Sequence, residues 1–236
     1  MSEDEKRRWK GPKRSELGQS SGRRTQERKV IAYRAKSESS KKWIERQLSD
    51  PYVQRTKSEG YRARAAYKLL EIDAQTKLLN GRRRVVDLGS APGGWLQVCA
   101  RKGISECVGI DLLEMEPLPG THIVMGDVTV PDDVAKMLSG LSGAPDLVLS
   151  DMAANTTGHK QTDSIRTAAL AETALDFTEA HLTAGGAFCC KVFQGGATPE
   201  LMRRLKRLFK TVKHIKPAAS RTGSPELFVV GLGFRG

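Results

Sequence analysis

Val85-Val86-Asp87-Leu88-Gly89-Ser90-Ala91-Pro92-Gly93-Gly94-Trp95 writes a buried strand that runs directly into a glycine-rich turn at a helix start. Open α/β sheets hold nucleotide-like ligands in this way, because backbone N–H groups converge where the strand ends and the helix begins. A second apolar run, Cys107-Val108-Gly109-Ile110, ends in Asp111. That carboxylate follows the first glycine by about 20 residues, where it can accept both hydroxyls of a ribose. The glycines depart from the phosphate-cradling G-x-G-x-x-G, since Ser90, Ala91 and Pro92 separate Gly89 from Gly93 and Gly94, so a pyrophosphate ligand is not favoured. S-adenosylmethionine (SAM) fits better: it carries adenosine, no phosphate, and a sulfonium plus an ammonium that Asp87 can balance. The competing reading is a βα turn that binds nothing.

Outward from this stretch, strands and helices alternate. Tyr61 to Leu79 has helical periodicity closed by Asn80-Gly81, and a helix near Ser40–Leu48 precedes the Asp50-Pro51 break. Strands are predicted at Arg84–Leu88, Cys107–Ile110, Ile123–Met125, Asp146–Ser150, Ala187–Phe193, Thr211–Lys216 and Glu226–Leu232. Helices are predicted from Gly93 to Lys102, after Pro131, over Ser164–Leu182 and over Pro199–Phe209. This order implies an α/β fold with a parallel sheet and helices on both faces.

The chain of 236 residues carries a net charge of +12, and residues 1 to 57 hold 17 Lys or Arg against 8 Asp or Glu. Attraction for a polyanion is therefore concentrated in the first quarter, read as a basic, disordered tail over residues 1–38 ahead of one folded domain over 39–236. Trp9, Trp43 and Tyr52 place stacking faces among those cations. Cys99, Cys107, Cys189 and Cys190 lack C-x-x-C spacing, so buried free thiols in a reducing cytoplasm are expected. No metal is expected, because the four histidines lack ligand spacing. No apolar run reaches the ~20 residues that span a bilayer, which argues against a membrane partner.

Four more segments follow in order: Lys68 in Arg64-Ala65-Ala66-Tyr67-Lys68-Leu69, Asp151 in Leu149-Ser150-Asp151-Met152-Ala153-Ala154-Asn155, Lys191 in Cys190-Lys191-Val192-Phe193-Gln194-Gly195, and Glu226 in Ser224-Pro225-Glu226-Leu227-Phe228-Val229. Together with the glycine-rich turn they resemble the FtsJ/RrmJ family of SAM-dependent ribose 2'-O-methyltransferases, and within it the bacterial branch acting on a uridine of 23S ribosomal RNA. The resemblance runs from about Ser40 to Phe234. Ala154 departs from it, standing where the family often has proline. The resemblance implies a doubly wound, mostly parallel, seven-stranded Rossmann-like methyltransferase sheet, with the large ribosomal subunit or its RNA as partner, no DNA, and a monomeric state. A transfer RNA substrate is the nearest rival, and a non-catalytic ribosome-assembly factor is the alternative from another class.

A ribose 2'-hydroxyl is a poor nucleophile while it holds its proton, so a base that also aligns it serves the reaction twice. Lys191 lies in an apolar strand. With Lys68 beside it, burial and like charge would favour the neutral amine that a base needs, although a strand lysine can also snorkel to water. By the resemblance, Asp151 orients Lys191 and sits near the methyl donor, while Glu226 orients Lys68 or the ribose. Asp127, in Met125-Gly126-Asp127-Val128, either accepts from the adenine amino group or forms a turn before Pro131; the resemblance favours SAM contact, with Val128 beside it. Gly89, Pro92, Gly93 and Gly94 form the cofactor loop, and Trp95 packs near the methionine end of SAM or in the core. Arg62, Arg64, Ser220 and Arg221 are further candidates for contact with the substrate ribose or phosphate. The basic run Arg203, Arg204, Lys206, Arg207 and Lys210 reads as a solvated face.

Overall fold

A computed structural model describes residues 50–155, 157–195, 198–221 and 223–236. The tail over 1–38 and the helix near Ser40–Leu48 lie outside the described residues. In chain order the described elements are α1 (Pro51–Glu59), α2 (Ala65–Thr76), β1 (Arg84–Leu88), α3 (Gly94–Arg101), β2 (Glu106–Asp111), β3 (Thr121–Met125) and α4 (Pro131–Leu138). They continue with β4 (Leu147–Ser150), α5 (Lys160–His181), β5 (Ala187–Phe193), α6 (Pro199–Leu208), β6 (Phe209–Ile215) and β7 (Glu226–Phe234).

The strands form one seven-stranded sheet in the order β3-β2-β1-β4-β5-β7-β6. β1 pairs in parallel with β2 and β4, and β5 pairs in parallel with β4. β7 is the exception to the parallel arrangement, inserting antiparallel between β5 and β6 with Glu226 opposite Phe193. Successive residues of a strand face opposite sides, so Val86, Val148 and Cys190 join one core and Val85, Leu147 and Cys189 the other. Helices α4, α5 and α6 cover the first face through Met137, Leu175 and Leu205; α2 and α3 cover the second through Leu69, Ile72 and Leu96. All four cysteines are buried free thiols. Among the described residues no helix is long and apolar enough to cross a membrane.

Several element ends shift by two to four residues from the sequence reading, as at the starts of α2, α5 and β6, and two differences have a clear local cause. Asp50-Pro51 begins a helix rather than breaking the chain: the Asp50 carboxylate accepts from the Tyr52 N–H, and Pro51 occupies the first turn, where its missing N–H costs nothing. Helix α2 stops at Thr76, short of Asn80-Gly81. Lys77 takes a left-handed φ of 57°, and the buried Asp73 carboxylate draws the chain into a turn by accepting from the Leu79 N–H at 2.9 Å.

Candidate active site and cofactor cleft

The carboxyl ends of the parallel strands form one edge of the sheet, and four chain segments deliver charged side chains there. Asp151 follows β4, Lys191 is the fifth residue of β5, Lys68 sits in the first turn of α2, and Glu226 opens β7. Because β7 runs antiparallel, its first residue reaches the edge where its neighbours end. The Lys191 Nζ lies 3.1 Å from Asp151 Oδ1 and donates to the Asp151 main-chain oxygen at 2.8 Å. Asp151 Oδ2 is 3.4 Å from Lys68 Nζ, which in turn lies 2.8 Å from Glu226 Oε1. The result is a line of alternating basic and acidic side chains, Lys191, Asp151, Lys68, Glu226, in which Asp151 stands between the two lysine nitrogens.

All four side chains are mostly shielded, from 6% exposed at Lys191 to 16% at Asp151. Burial works against the charge of Lys68, but the charges and hydrogen bonds of Asp151 and Glu226 outweigh it and hold its pKa above the ordinary lysine value. Lys68 is therefore a fixed cation. Ser220 Oγ donates to Glu226 Oε1 at 2.9 Å, completing the support of the outermost carboxylate.

Beside this line, a cleft of about 260 Å³ opens at the ends of β1, β2, β3 and β4. Gly89, Asp111, Asp127 and Val128 are among the residues that line it. Both Asp111 oxygens are aimed by backbone amides, Oδ2 accepting from Ala91 and Oδ1 from Leu113, each at 2.9 Å. Asp127 Oδ1 accepts from the Thr129 N–H and hydroxyl at 2.8 Å, so the turn-forming role of this aspartate is present along with its place in the cleft. Gly89 has φ of 76°, and a Cβ there would meet the Met152 side chain at 2.7 Å. The backbone closes on the cleft at a point where only glycine fits.

The remaining loop residues take supporting places. Arg62 grips the loop, its Nη1 donating to the Pro92 oxygen at 3.4 Å and to the Glu116 oxygen at 2.6 Å. Gly93 caps α3 with a φ of 100°, and Gly94 packs towards Ala63 and the Ala66 backbone. Trp95 is a core residue, with Nε1 donating to the Ala65 oxygen at 2.8 Å and its ring 5.6 Å from Phe228. Arg64 pairs with Asp50 and donates to the Ala219 oxygen. Arg204, in the basic run, pairs with Asp176 and Glu179. Sequence reasoning missed Leu112, Met152, Leu170 and Thr173 of the cleft. The apolar Leu112 directly after Asp111, 71% exposed, is the one with a readable signal; which face of α5 meets the cleft is set by tertiary packing.

Asp87, in β1, is 1% exposed, and both its carboxyl oxygens are buried without a hydrogen-bond partner among the described residues. Burial, reinforced by the charges of Asp151 and Asp111, pushes its pKa well above the usual carboxylate range. A carboxyl that binds its proton more tightly folded than unfolded imposes no cost below the unfolded value of about 3.9, and it loses stability for the fold as pH rises beyond that. Asp87→Asn in the cofactor-free protein is thus expected to be more stable than wild type by a margin that widens with pH. Urea unfolding at pH 4.5 and pH 8 checks this; a margin independent of pH would contradict it.

A seven-stranded sheet with β7 antiparallel between β5 and β6 agrees with a methyltransferase fold, and the chain belongs to the FtsJ-like methyltransferase family, whose model matches residues 61–234. It is 65% identical over 235 residues to the ribosomal RNA large subunit methyltransferase E of Hyphomonas neptunium, with all of both chains covered. It is 54% identical to the protein of that name from Sphingopyxis alaskensis, covering 93% of this chain and 96% of the relative. Among solved structures, a ribosomal RNA methyltransferase from Plasmodium falciparum superposes with a TM-score of 0.66 at 29% identity, over 75% of this chain and 100% of that one.

Proposed function

We propose that this chain transfers a methyl group from SAM to the 2'-hydroxyl of a nucleotide, a uridine, in the 23S-type RNA of the large ribosomal subunit. The observation that carries the reading is the line Lys191, Asp151, Lys68, Glu226 beside a cleft whose Asp111 carboxylate is already aimed. The cleft fits SAM: Asp111 would take the ribose hydroxyls, Asp127, Val128 and Leu112 the adenine, and Gly89 admits the ligand close to the backbone. When bound, SAM supplies an electrophilic methyl group on a sulfonium. The relatives' names supply the substrate class.

The chain's own residues then divide the work. Lys68, held as a cation by two carboxylates, cannot accept a proton and serves to position Asp151 and Glu226. Lys191 is the remaining amine. Once it has released its own proton to solvent, its Nζ takes the proton of the 2'-hydroxyl as the oxygen bonds the methyl carbon and the carbon–sulfur bond breaks, while Asp151 fixes where that nitrogen stands. The buried, unbridged thiols support a reducing compartment, the cytoplasm, for this activity, and the family resemblance alone supports a monomer.

Purified protein with labelled SAM, offered undermethylated large subunits, naked large-subunit RNA and transfer RNA in parallel, tests the proposal. A 2'-O-methyl group mapped to large-subunit RNA supports it; label confined to transfer RNA moves the substrate; no label despite SAM binding makes the chain a non-catalytic RNA-binding factor. Asp111→Ala should weaken SAM binding by about 1–3 kcal/mol, the cost of leaving buried hydroxyls without an acceptor. Unchanged affinity by calorimetry would remove Asp111 from the ribose.

A further inference from the structure

A second groove, of about 300 Å³, lies on the far side of Glu226 from Asp151 in the chain of contacts. Asp50, Pro51, Tyr52, Arg64, Ser220 and Arg221 line it together with Ala218. Its walls come from three segments that are fastened to one another by polar contacts. Glu71 Oε1 accepts from the Tyr52 hydroxyl at 3.0 Å and Oε2 from the Ala219 N–H at 2.9 Å. Arg64 bridges the other way, pairing with the Asp50 carboxylate and donating to the Ala219 oxygen. Ala219 is held at both its N–H and its carbonyl, so the main chain directly before Ser220 is anchored to Glu71 and Arg64.

The groove's chemistry is that of a nucleotide site. The Arg64 guanidinium carbon stands 5.6 Å from the Tyr52 ring centroid, joining the two side-chain types on which unpaired bases stack. Asp50 offsets Arg64, which leaves the charge of Arg221 in excess. Among the described residues the Arg221 guanidinium has no hydrogen bond or ion pair, unlike those of Arg62 and Arg64. Ser220 belongs to both sites, lining the groove while its Oγ donates to Glu226.

We propose that this groove binds the nucleotide next to the methylated one, with its base against Tyr52 and Arg64 and a phosphate on Arg221. The inference rests on the RNA-methylation reading above and adds a place where the strand is held in register with Lys191. Because Ser220 lines the groove and donates to Glu226, a nucleotide seated here is connected to the charged line through Ser220.

Methylation kinetics on undermethylated large ribosomal subunits, across a range of salt, decide it. Ala218→Trp fills the groove and Arg221→Ala removes its free cation, and neither residue belongs to the charged line or the SAM cleft. Each variant should raise KM for the particles by roughly 5- to 100-fold, with SAM affinity and Tm unchanged. Arg221→Ala should also flatten the slope of log KM against log salt by about 0.7, the share of one single-strand phosphate contact, and Arg221→Lys should restore it. If wild type methylates the particles and Arg221→Ala keeps both its KM and its salt slope, the groove holds no nucleotide, whatever Ala218→Trp does to folding. If wild type methylates no RNA, the reaction assigned above fails first and the subsite falls with it.

Discussion

Lys191→Ala is expected to bind SAM close to normally and to lose turnover by about 10²–10⁴-fold, the usual contribution of a positioned general base, with a further loss if the ribose is also misaligned. The side chain is 6% exposed and pairs with Asp151, so the variant also leaves a space and an under-supported carboxylate. Lys191→Met, which keeps the bulk without the amine, separates that structural effect from the chemical one. Lys191→Arg is the decisive variant: guanidinium keeps the charge beside Asp151 but does not release a proton near neutral pH. It should be nearly as inactive as Lys191→Ala in single-turnover assays. Substantial activity in Lys191→Arg would make Lys191 an electrostatic or positioning group, and substantial activity in Lys191→Ala would remove the charged line from the mechanism.

The second large effect is on stability. Phe228 is fully buried, pairs across the β5–β7 ladder with Lys191, and lies 5.6 Å from the Trp95 ring and 5.6 Å from Lys68 Nζ. Phe228→Ala should lower the free energy of unfolding by about 3–5 kcal/mol, the transfer cost of the ring plus the cavity left between β7, α2 and α3. Phe228→Leu should cost less, because it refills part of the space. Denaturant titration reads both; a loss under about 1 kcal/mol for Phe228→Ala would mean that the ring is not packed as described. Phe228→Ala also removes the floor beneath Lys68, so its turnover should fall at temperatures where the protein remains folded.

What the sequence made legible follows from how local each signal is. Strand β1 and the loop after it could be read from consecutive residues, because apolar run, glycine spacing and a carboxylate one strand later are short-range patterns. β5 was bounded correctly at Ala187 and Phe193. Helix α1 had a capping aspartate and a first-turn proline in plain view, yet Asp50-Pro51 also reads as a break, and its weakly apolar face gave no periodicity to tip the balance. The end of α2 was unreadable because it depends on the Asp73 carboxylate turning back to Leu79, a six-residue contact with no sequence signature. The four charged residues were identified through resemblance to a family; their alternation, with Asp151 between the lysines rather than the lysines side by side, required the fold. Arg62 and Arg64 looked like substrate contacts because they are cationic and precede Lys68. In the structure the Arg62 guanidinium holds the Pro92 and Glu116 main chain, while the Arg64 guanidinium pairs with Asp50 beside the Tyr52 ring and lines the second groove.

The antiparallel placement of β7 has a consequence for how the molecule is made. Lys68, Asp151 and Lys191 leave the ribosome well before Glu226, and β7 must then slide between two strands, β5 and β6, that precede it in the chain. A nascent polypeptide that stops short of residue 226 has its sheet split in the middle and its charged line open at one end. The charged line is therefore complete only once β7 has entered the sheet, whatever order the other strands take.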